Sequence, residues 1–346
     1  MEHIGIDLGK TSSQICILTE DGELIERRIK TTRDDFFKWL GNRAPACVLI
    51  EATTESEWVA RYLEQMGHEV IVADPNFAPM YATRSRRVKT DKRDARTLCE
   101  ACRLGSYRPV HRVSETQRQV KKMLTVRGTL VHTRAKYITT IKTLVRAEGL
   151  RIPASSAESF VERLLALTLP EHLAAVIEPL VTLLAQLNKQ LKQADSQLQE
   201  LVEQDPVVER LCTAPGIGPV TAVTFVATLD EVKRFETAKQ VRGYLGLVPS
   251  EKSSGERQLR GRITKAGNGR LRALLVEAAW SLMRSKQASV KAIQQWTKSI
   301  ALRRGKQVAA VALARKLAGI LFAMWRDGTA FGCKGVMGEG ASAFAA

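Results

Sequence analysis

A regular spacing of apolar residues in the middle of the chain constrains the fold most strongly. Apolar positions recur at alternating intervals of four and three, the heptad pattern that keeps one side of a long helix apolar. The residues of this seam are Leu173, Ile177, Leu180, Leu184, Leu187, Leu191, Ala194, Leu198 and Leu201. The pattern predicts a coiled-coil hairpin or a dimer arm, with a helix packed inside its own domain as the alternative.

The sequence before this seam is typical of a mixed α/β domain. Short apolar runs at residues 4–8, 15–18, 47–50 and 70–73 predict strands, and Asp21-Gly22 predicts a hairpin turn after the second run. Helical patterns occupy residues 33–40, 57–66 and 91–104. This order predicts a sheet covered by helices. After the seam the pattern is mainly helical, with loops expected near Pro215 and between residues 249 and 268.

The chain carries a large excess of positive charge. Its 346 residues include 53 Lys plus Arg and 36 Asp plus Glu, which gives a formal net charge of +17. Residues 116–147 contain eight basic residues and no acidic one, which predicts a cationic helix. Such a balance indicates a polyanionic partner. Because the basic residues recur along the chain, nucleic acid fits better than a membrane surface.

The apolar segments and the cysteines favour an intracellular protein. The first residues lack the basic start and apolar stretch of a signal peptide, so we expect a cytoplasmic, nucleoid-associated protein. In the longest apolar region, residues 308–325, Arg315 and Lys316 favour a buried amphipathic helix over a membrane span. Cys99 and Cys102 form a CxxC pair that lacks a second Cys or His pair nearby in the sequence. We interpret the cysteines as reduced core residues.

Four carboxylates are candidate metal ligands. Asp7 lies in an apolar run, where a buried carboxylate is costly unless it is paired or coordinated, and Glu51 ends another such run. Asp91 and Asp94 share one face of a helix, where like charges repel unless a cation lies between them. Oxygen ligands favour Mg²⁺ or Mn²⁺ and two-metal phosphodiester chemistry. For each residue alone a turn or cap is the simpler interpretation; together, in a basic chain, the four favour a functional site.

A second candidate site is the basic, glycine-rich segment around Ser253 and Ser254. Residues 252–316 include sixteen basic and two acidic residues. A serine hydroxyl beside guanidinium groups can attack a phosphodiester while the cations offset negative charge. The alternative is a basic loop that holds the DNA backbone. Upstream, residues 214–219 look like the hairpin of a helix-hairpin-helix module, with a plain tight turn as the alternative.

Both sites resemble one known family. Gly5-Ile-Asp7, Ile50-Glu51-Ala-Thr and Thr90-Asp91-Lys-Arg-Asp94-Ala95 are similar to the RuvC-like DEDD domain of transposases from insertion sequence family one hundred and ten. Gly246-Leu-Val-Pro, Ser254-Gly255 and Arg262-Ile-Thr-Lys-Ala-Gly267 are similar to that family's second domain. The chain departs from the family's pattern at Thr54 and Glu256, where the family commonly has Gly.

The resemblance implies an RNase H-like (RuvC-like) fold at residues 1–112 and a serine-containing, mainly helical transposase domain with a helix-hairpin-helix-like element at residues 206–326. We expect a basic helix and coiled-coil arm at residues 113–205 and a disordered tail at residues 327–346. The fold class expected is therefore α/β plus all-α.

The resemblance also implies how the enzyme works on DNA. Asp7, Glu51, Asp91 and Asp94 would be the catalytic metal ligands. Ser254 would be the nucleophile of a 5′-phosphoserine intermediate, with Ser253 as the adjacent runner-up. The family further implies a bridge or guide RNA and assembly as dimers or tetramers. Because 160 residues separate Asp94 from Ser254, we expect the two halves of the active site to meet between subunits.

Basic residues near these motifs are expected to contact nucleic acid. They are Arg84, Arg86, Arg87, Lys89, Lys121, Lys122, Arg257, Arg260, Arg262, Lys265, Arg270 and Arg272. Two other functions are weighed. Residues 5–11 also resemble the first phosphate loop of sugar kinases and actin-like ATPases, but that superfamily's second phosphate loop and adenosine motif are missing. A non-catalytic nucleic-acid-binding protein is disfavoured because the Asp91/Asp94 pair would repel DNA in the absence of metal.

Overall fold

The computed structural model describes residues 1–81, 91–254 and 257–332, with the backbone alone at 252–254, 257, 258 and 260. Its contacts divide the chain into two units, Met1–Arg112 and Val113–Ala346. The predicted nucleic-acid contacts Arg84, Arg86, Arg87 and Lys89 lie outside the described residues, as does the predicted disordered tail from residue 333 onward. The bounds of the four domains expected from the sequence stay predictions.

The first unit is a five-stranded mixed sheet covered by helices, which confirms the predicted α/β class. Its elements are β1 (His3–Asp7), β2 (Ser12–Leu18), β3 (Leu24–Lys30), α1 (Arg33–Leu40), β4 (Cys47–Glu51), α2 (Ser56–Gln65), β5 (Glu69–Ala73) and α3 (Asp91–Leu104). The strand order is β3-β2-β1-β4-β5. β1, β2 and β3 pair antiparallel, and β4 pairs parallel with both β1 and β5.

The two faces of this sheet are covered by different helices. Ile4 of β1 is buried with Phe36 of α1 on one side, and Leu49 of β4 packs with Leu98 of α3 on the other. Successive side chains of a strand point to opposite faces. The odd-numbered residues of β1 and β4 therefore face α3. This alternation decides which carboxylates can meet the helix.

The second unit is mainly helical, and its described residues include a β-hairpin. Its elements are α4 (Glu115–Ala147), α5 (Phe160–Leu165), α6 (Glu171–Gln204), α7 (Pro206–Cys212), α8 (Pro219–Leu229), α9 (Ala238–Tyr244), β6 (Pro249–Ser254), β7 (Arg257–Ile263), α10 (Gly269–Arg284), α11 (Lys291–Arg304) and α12 (Lys306–Asp327). A loop was predicted between residues 249 and 268. This prediction is wrong for residues 249–254 and 257–263, because they form the antiparallel strands β6 and β7. The turn at residues 214–219 joins α7 to α8, and its helix-hairpin-helix assignment stays a prediction.

The two longest helices, α4 and α6, pack along one another. Ile141 of α4 lies in one apolar cluster with Leu173 of α6, and Leu124 lies in another with Leu198, so the helices run antiparallel. The seam residues Leu173, Ile177, Leu184, Leu191 and Leu198 are buried. α6 continues through Pro179 without interruption. The seam thus packs within its own chain, and the supercoil and the dimer arm stay predictions.

The apolar region at the end of the described chain forms α12. By length and composition alone this helix could cross a membrane, but 56% of its most apolar window is buried inside the protein. Leu313, Leu317 and Phe322 belong to the main apolar cluster of the second unit. α12 is therefore a core helix, as its sequence predicted, and its apolar composition is weak evidence for a membrane span.

Candidate active site

The four candidate carboxylates line one cavity of the first unit. Asp7, Glu51, Asp91 and Asp94 all border this space, which measures about 520 Å³. We call it the carboxylate cavity. Its other lining residues are Leu8, Gly9, Ser12, Ser13, Gln14, Arg28, Thr53, Pro75 and Tyr81. Three parts of the sequence, around Asp7, Glu51 and Asp91 and at least 40 positions apart, are thus brought to one place by the sheet and α3.

Each carboxylate reaches the cavity because of where its element ends or begins. Asp7 is the last residue of β1 and Glu51 the last residue of β4. These strands are parallel neighbours, so their carboxyl ends lie at one edge of the sheet. Asp91 and Asp94 lie in the first turn of α3, where the helix dipole favours negative charge.

Gly5 explains how α3 comes so close to β1. A Cβ atom at Gly5 would lie 2.2 Å from the carbonyl oxygen of Ala95 and 2.2 Å from the backbone nitrogen of Cys99. No side chain other than hydrogen fits this contact. This positioning role of Gly5 was not predicted from the sequence. A glycine inside an apolar strand is the signal that would have identified such a backbone approach.

The carboxylate cavity concentrates negative charge. Asp94 is buried, Asp7 and Glu51 are half-buried, and Asp91 is exposed. Among the described residues Arg28 is the one cationic side chain that lines the cavity, and its guanidinium donates hydrogen bonds to Ser12 Oγ at 3.0 and 3.3 Å. Within the described lining, four carboxylates and one guanidinium give an excess of negative charge, which favours a cation.

Ser254 lies in the second unit, at the end of β6. Its backbone pairs with Arg257 of β7, and Ser253 pairs with Gln258. The serine predicted as the nucleophile therefore ends a strand, next to residues 255 and 256, which lie outside the described residues. The side chains of Arg257 and Arg260, predicted to contact nucleic acid, lie outside the description too.

The base of this hairpin is locked by the two glycine-containing motifs that flank it. Gly246 has φ +64°, and a Cβ there would lie 2.3 Å from the carbonyl oxygen of Ala266. Gly267 has φ +69°, and a Cβ there would lie 2.1 Å from the carbonyl oxygen of Tyr244. The backbone nitrogen of Thr264 donates to the carbonyl of Val248 at 2.9 Å. The two motifs thus form one close-packed backbone junction.

Two of the residues predicted to contact nucleic acid form hydrogen bonds inside the second unit, and their contact with nucleic acid stays a prediction. The Arg270 guanidinium donates to the carbonyl oxygen of Leu124 and fills the space above Gly128, where a side chain would overlap it. The Arg272 guanidinium donates to the carbonyls of Leu245 and Gly267, each at 3.2 Å. Both arginines hold helices and loops together. Lys121 is half-buried, and its neighbour Lys122 is exposed.

Arg262 and Lys265 line a large cavity of the second unit, about 1380 Å³, that the sequence argument did not predict. We call it the basic cavity. Its cationic lining residues are Arg242, Arg262, Lys265, Arg304, Arg315, Lys316 and Arg326, and the acidic lining residue among those described is Glu236. These cations come from α9, β7, α11 and α12 and from the segment after β7. No local pattern of the sequence links them.

Arg242 of the basic cavity is closely surrounded by protein atoms. Its Nε is buried without a hydrogen-bond partner among the described residues, and its Nη2 lies against Gly319 of α12. Burial lowers the pKa of Arg242, and the nearby Arg315 lowers it further. Burial likewise lowers the pKa of Lys316, whose Nζ lies 4.4 Å from the ring centre of Trp296. Closely spaced cations of this kind are stabilised by a bound anion.

Most of the chain is similar to known proteins. Residues 4–147 match the DEDD transposase family of insertion sequence IS110, and residues 208–295 match the "Transposase IS116/IS110/IS902 family". A "probable family 20 transposase" of Pseudomonas aeruginosa is 31% identical over 94% of this chain and 96% of its own length. The transposase for insertion sequence element IS1111A of Coxiella burnetii is 29% identical over 93% of this chain and 88% of its own length. The transposase for insertion sequence element IS1328 of Yersinia enterocolitica is 29% identical over 95% of this chain and 98% of its own length.

Proposed function

Because the chain belongs to the IS116/IS110/IS902 family of transposases, it cleaves and transfers DNA strands of an insertion sequence, and we propose that the carboxylate cavity and Ser254 carry out this chemistry. The observation that carries the proposal is that Asp7, Glu51, Asp91 and Asp94 line one cavity. Family membership removes the sugar-kinase and the non-catalytic alternatives.

A DEDD transposase domain implies a divalent metal, and the donor set of the carboxylate cavity fits one. All four candidate ligands are carboxylates, which suit the hard cations Mg²⁺ and Mn²⁺. When bound, such a metal stabilises the attacking and leaving oxygens of a phosphodiester. The chain's own contribution is to hold the four carboxylates together through the Gly5 contact with α3.

Ser254 is proposed as the nucleophile that joins the protein to a 5′-phosphate of the cleaved strand. Its hydroxyl oxygen forms a bond to phosphorus, the bond to the leaving 3′-oxygen breaks, and the serine proton goes to solvent or a nearby base. The junction between Gly246 and Ala266 supports this role, because it fixes the base of the hairpin that bears Ser254. Ser253, one residue earlier, is the alternative nucleophile.

The basic cavity is proposed as a contact for the nucleic-acid backbone. Among the described residues seven cations, Arg242 and Arg315 among them, and one acidic residue, Glu236, line it, and phosphate groups would offset this excess of positive charge. We extend to this chain the bridge or guide RNA and the dimeric or tetrameric assembly that the sequence resemblance implies. Nucleoid association follows from DNA binding as part of the same proposal.

Strand exchange on DNA that carries the element's ends, with its guide RNA, tests the proposal. Asp94→Ala and Ser254→Ala should each lower the rate by about 10³-fold or more, equivalent to roughly 4 kcal/mol of transition-state stabilisation. Glu100→Gln, on α3 but not lining the carboxylate cavity, and Ser250→Ala are the matched controls and should retain the rate.

Each half of the proposal has its own contradicting result. Exchange at the wild-type rate by Ser254→Ala would remove Ser254 as the nucleophile. A covalent protein–DNA adduct that disappears only in Ser253→Ala would move the role to Ser253. Exchange that continues in the presence of EDTA would overturn the metal assignment of the four carboxylates.

A further inference from the structure

A second group of metal-binding side chains lies at the opposite end of β4 from Glu51. His3 of β1, Cys47 of β4 and Cys102 of α3 each offer one ligand atom, and these atoms lie within 4.8 Å of one another. The Sγ of Cys102 is 3.3 Å from the Sγ of Cys47 and 3.8 Å from Nδ1 of His3. We propose that these three side chains bind a Zn²⁺ ion.

The distances between the ligand atoms are close to those of a zinc site. With Zn–S bonds of about 2.3 Å and a Zn–N bond of about 2.0 Å at tetrahedral angles, two sulfurs lie roughly 3.8 Å apart and a sulfur and a nitrogen roughly 3.5 Å apart. The two separations that involve Cys102 differ from these values by about half an ångström or less, and the Cys47 and His3 ligand atoms lie within 4.8 Å of one another. Small side-chain rotations therefore suffice to close the site.

The fold itself brings the three ligands together. His3 and Cys47 are register partners on the parallel strands β1 and β4, on the face of the sheet that α3 covers. Cys102 comes from α3, one turn beyond the point where Cys99 contacts Gly5. The thiol of Cys99 donates to the carbonyl oxygen of His3 at 3.1 Å and takes no part in the cluster. The two cysteines of the CxxC pair therefore have different partners, and those of Cys102 are His3 and Cys47 on the sheet.

The chemistry of the cluster selects zinc over the cations of the carboxylate cavity. Thiolate and imidazole ligands suit Zn²⁺, whereas Mg²⁺ requires oxygen ligands. Cys47 and Cys102 are buried, and on binding each thiol loses its proton to solvent, so that two thiolates neutralise the charge of the ion. Glu69 is the register partner of Cys47 on β5, and its carboxylate or a water molecule would complete four ligands.

A metal at this place would act on structure. It would join β1, β4 and α3, the three elements that carry Asp7, Glu51, Asp91 and Asp94. β4 has five residues, so the zinc site and Glu51 lie roughly 13 Å apart along the strand. The two sites are therefore separate, and the zinc proposal holds whether or not the carboxylates are catalytic.

Cobalt titration of the full-length, reduced and metal-free protein tests this site. Bound Co²⁺ with thiolate ligands gives a sulfur-to-cobalt charge-transfer band, which carboxylate ligands do not give. We expect a single equivalent of Co²⁺ to produce the band and Zn²⁺ to displace it. Cys47→Ser and Cys102→Ser should weaken binding by about 100-fold or more. Cys99→Ser, Cys212→Ser and Asp94→Asn are the controls and should retain the band.

Three results would overturn the proposal. One is the absence of the band in reduced wild-type protein, which does not depend on whether any variant folds. Another is a band of wild-type affinity in Cys102→Ser. The third concerns the number of free thiols in the wild-type protein under the reducing conditions of the titration. If this number is two lower than expected, Cys47 and Cys102 form a disulfide, and neither sulfur can bind a metal.

Discussion

Gly5 of β1 lies directly against Ala95 of α3, with 2.2 Å between the place of a Cβ atom and the Ala95 carbonyl oxygen. In α3 the contact lies one residue after Asp94, and in β1 it lies two residues before Asp7. It therefore fixes the position of the helix over the strand next to both carboxylates. The distance between the two sets of carboxylates therefore depends on a residue that has no side chain. Binding chemistry and backbone packing are coupled at this one position.

Replacing Gly5 by Ala should damage both stability and catalysis. The added methyl group must push α3 away, and overpacking of this kind costs about 1–3 kcal/mol. We expect a lower urea midpoint of unfolding and a loss of metal-dependent strand transfer. Gly243→Ala, in α9, is the control: a Cβ there meets nothing within 4 Å, and Ala favours a helix. An unchanged midpoint in Gly5→Ala would contradict the contact.

Divalent metal should stabilise the protein through the carboxylate cavity. A ligand that binds only the folded state adds about 2.7 kcal/mol at a concentration of roughly 100 times its Kd. The rise in Tm when Mg²⁺ is added to protein that has been made metal-free beforehand should therefore be large in wild type and small in Asp94→Asn. Glu100→Gln should keep the wild-type rise. Equal rises in wild type and Asp94→Asn would show that the ion binds elsewhere.

The sequence predicted the elements that carry the carboxylates and missed what joins them. The strands ending at Asp7 and Glu51 and the helix starting at Asp91 follow from local apolar patterns, which depend on neighbouring residues alone. The contact of Gly5 with Ala95 links residues 90 positions apart; a glycine inside an apolar strand signals a close backbone approach but does not say which residue approaches. For the same reason the zinc ligand Cys102 could not be matched with Cys47 from the CxxC spacing.

The hairpin of β6 and β7 was missed for a different reason. Its strands are polar and rich in serine and arginine, and such segments become strands only through pairing. The basic cavity was missed because its cations come from separate elements. Arg270 and Arg272 were predicted as DNA contacts from charge alone, and the sequence could not reveal that their guanidinium groups hold backbone carbonyls of the same unit.

The junction at the base of the hairpin predicts a selective defect for Gly267→Ala. The substitution forces an L-residue into φ +69° and toward the carbonyl oxygen of Tyr244, which costs roughly 1–3 kcal/mol. We expect loss of strand transfer, with the metal-dependent rise in Tm retained, because the carboxylate cavity is in the first unit. Gly269→Ala is the matched control, since a Cβ there would meet the end of the flexible Arg272 side chain at 3.5 Å. Full activity of Gly267→Ala would contradict a role for this junction.

The arginines of the second unit should separate into two groups when binding and stability are measured together. Arg315→Gln, in the basic cavity, should weaken nucleic-acid binding and lower the slope of log K against log salt by about 0.9 for duplex DNA, because one phosphate contact is lost. Its urea midpoint should change little. Lys189→Gln, on the exposed surface of α6, is the control for a simple loss of charge.

Arg270→Gln should give the opposite result. Its guanidinium bonds the carbonyl oxygen of Leu124 and occupies the space above Gly128, so its loss removes a charged hydrogen bond worth roughly 1.5–3 kcal/mol. We expect a lower urea midpoint and an unchanged salt slope for the protein that remains folded. If Arg270→Gln has a reduced salt slope and wild-type stability, Arg270 belongs to the group that contacts nucleic acid. If Arg315→Gln has the same salt slope as wild type, the basic cavity is not part of the nucleic-acid interface.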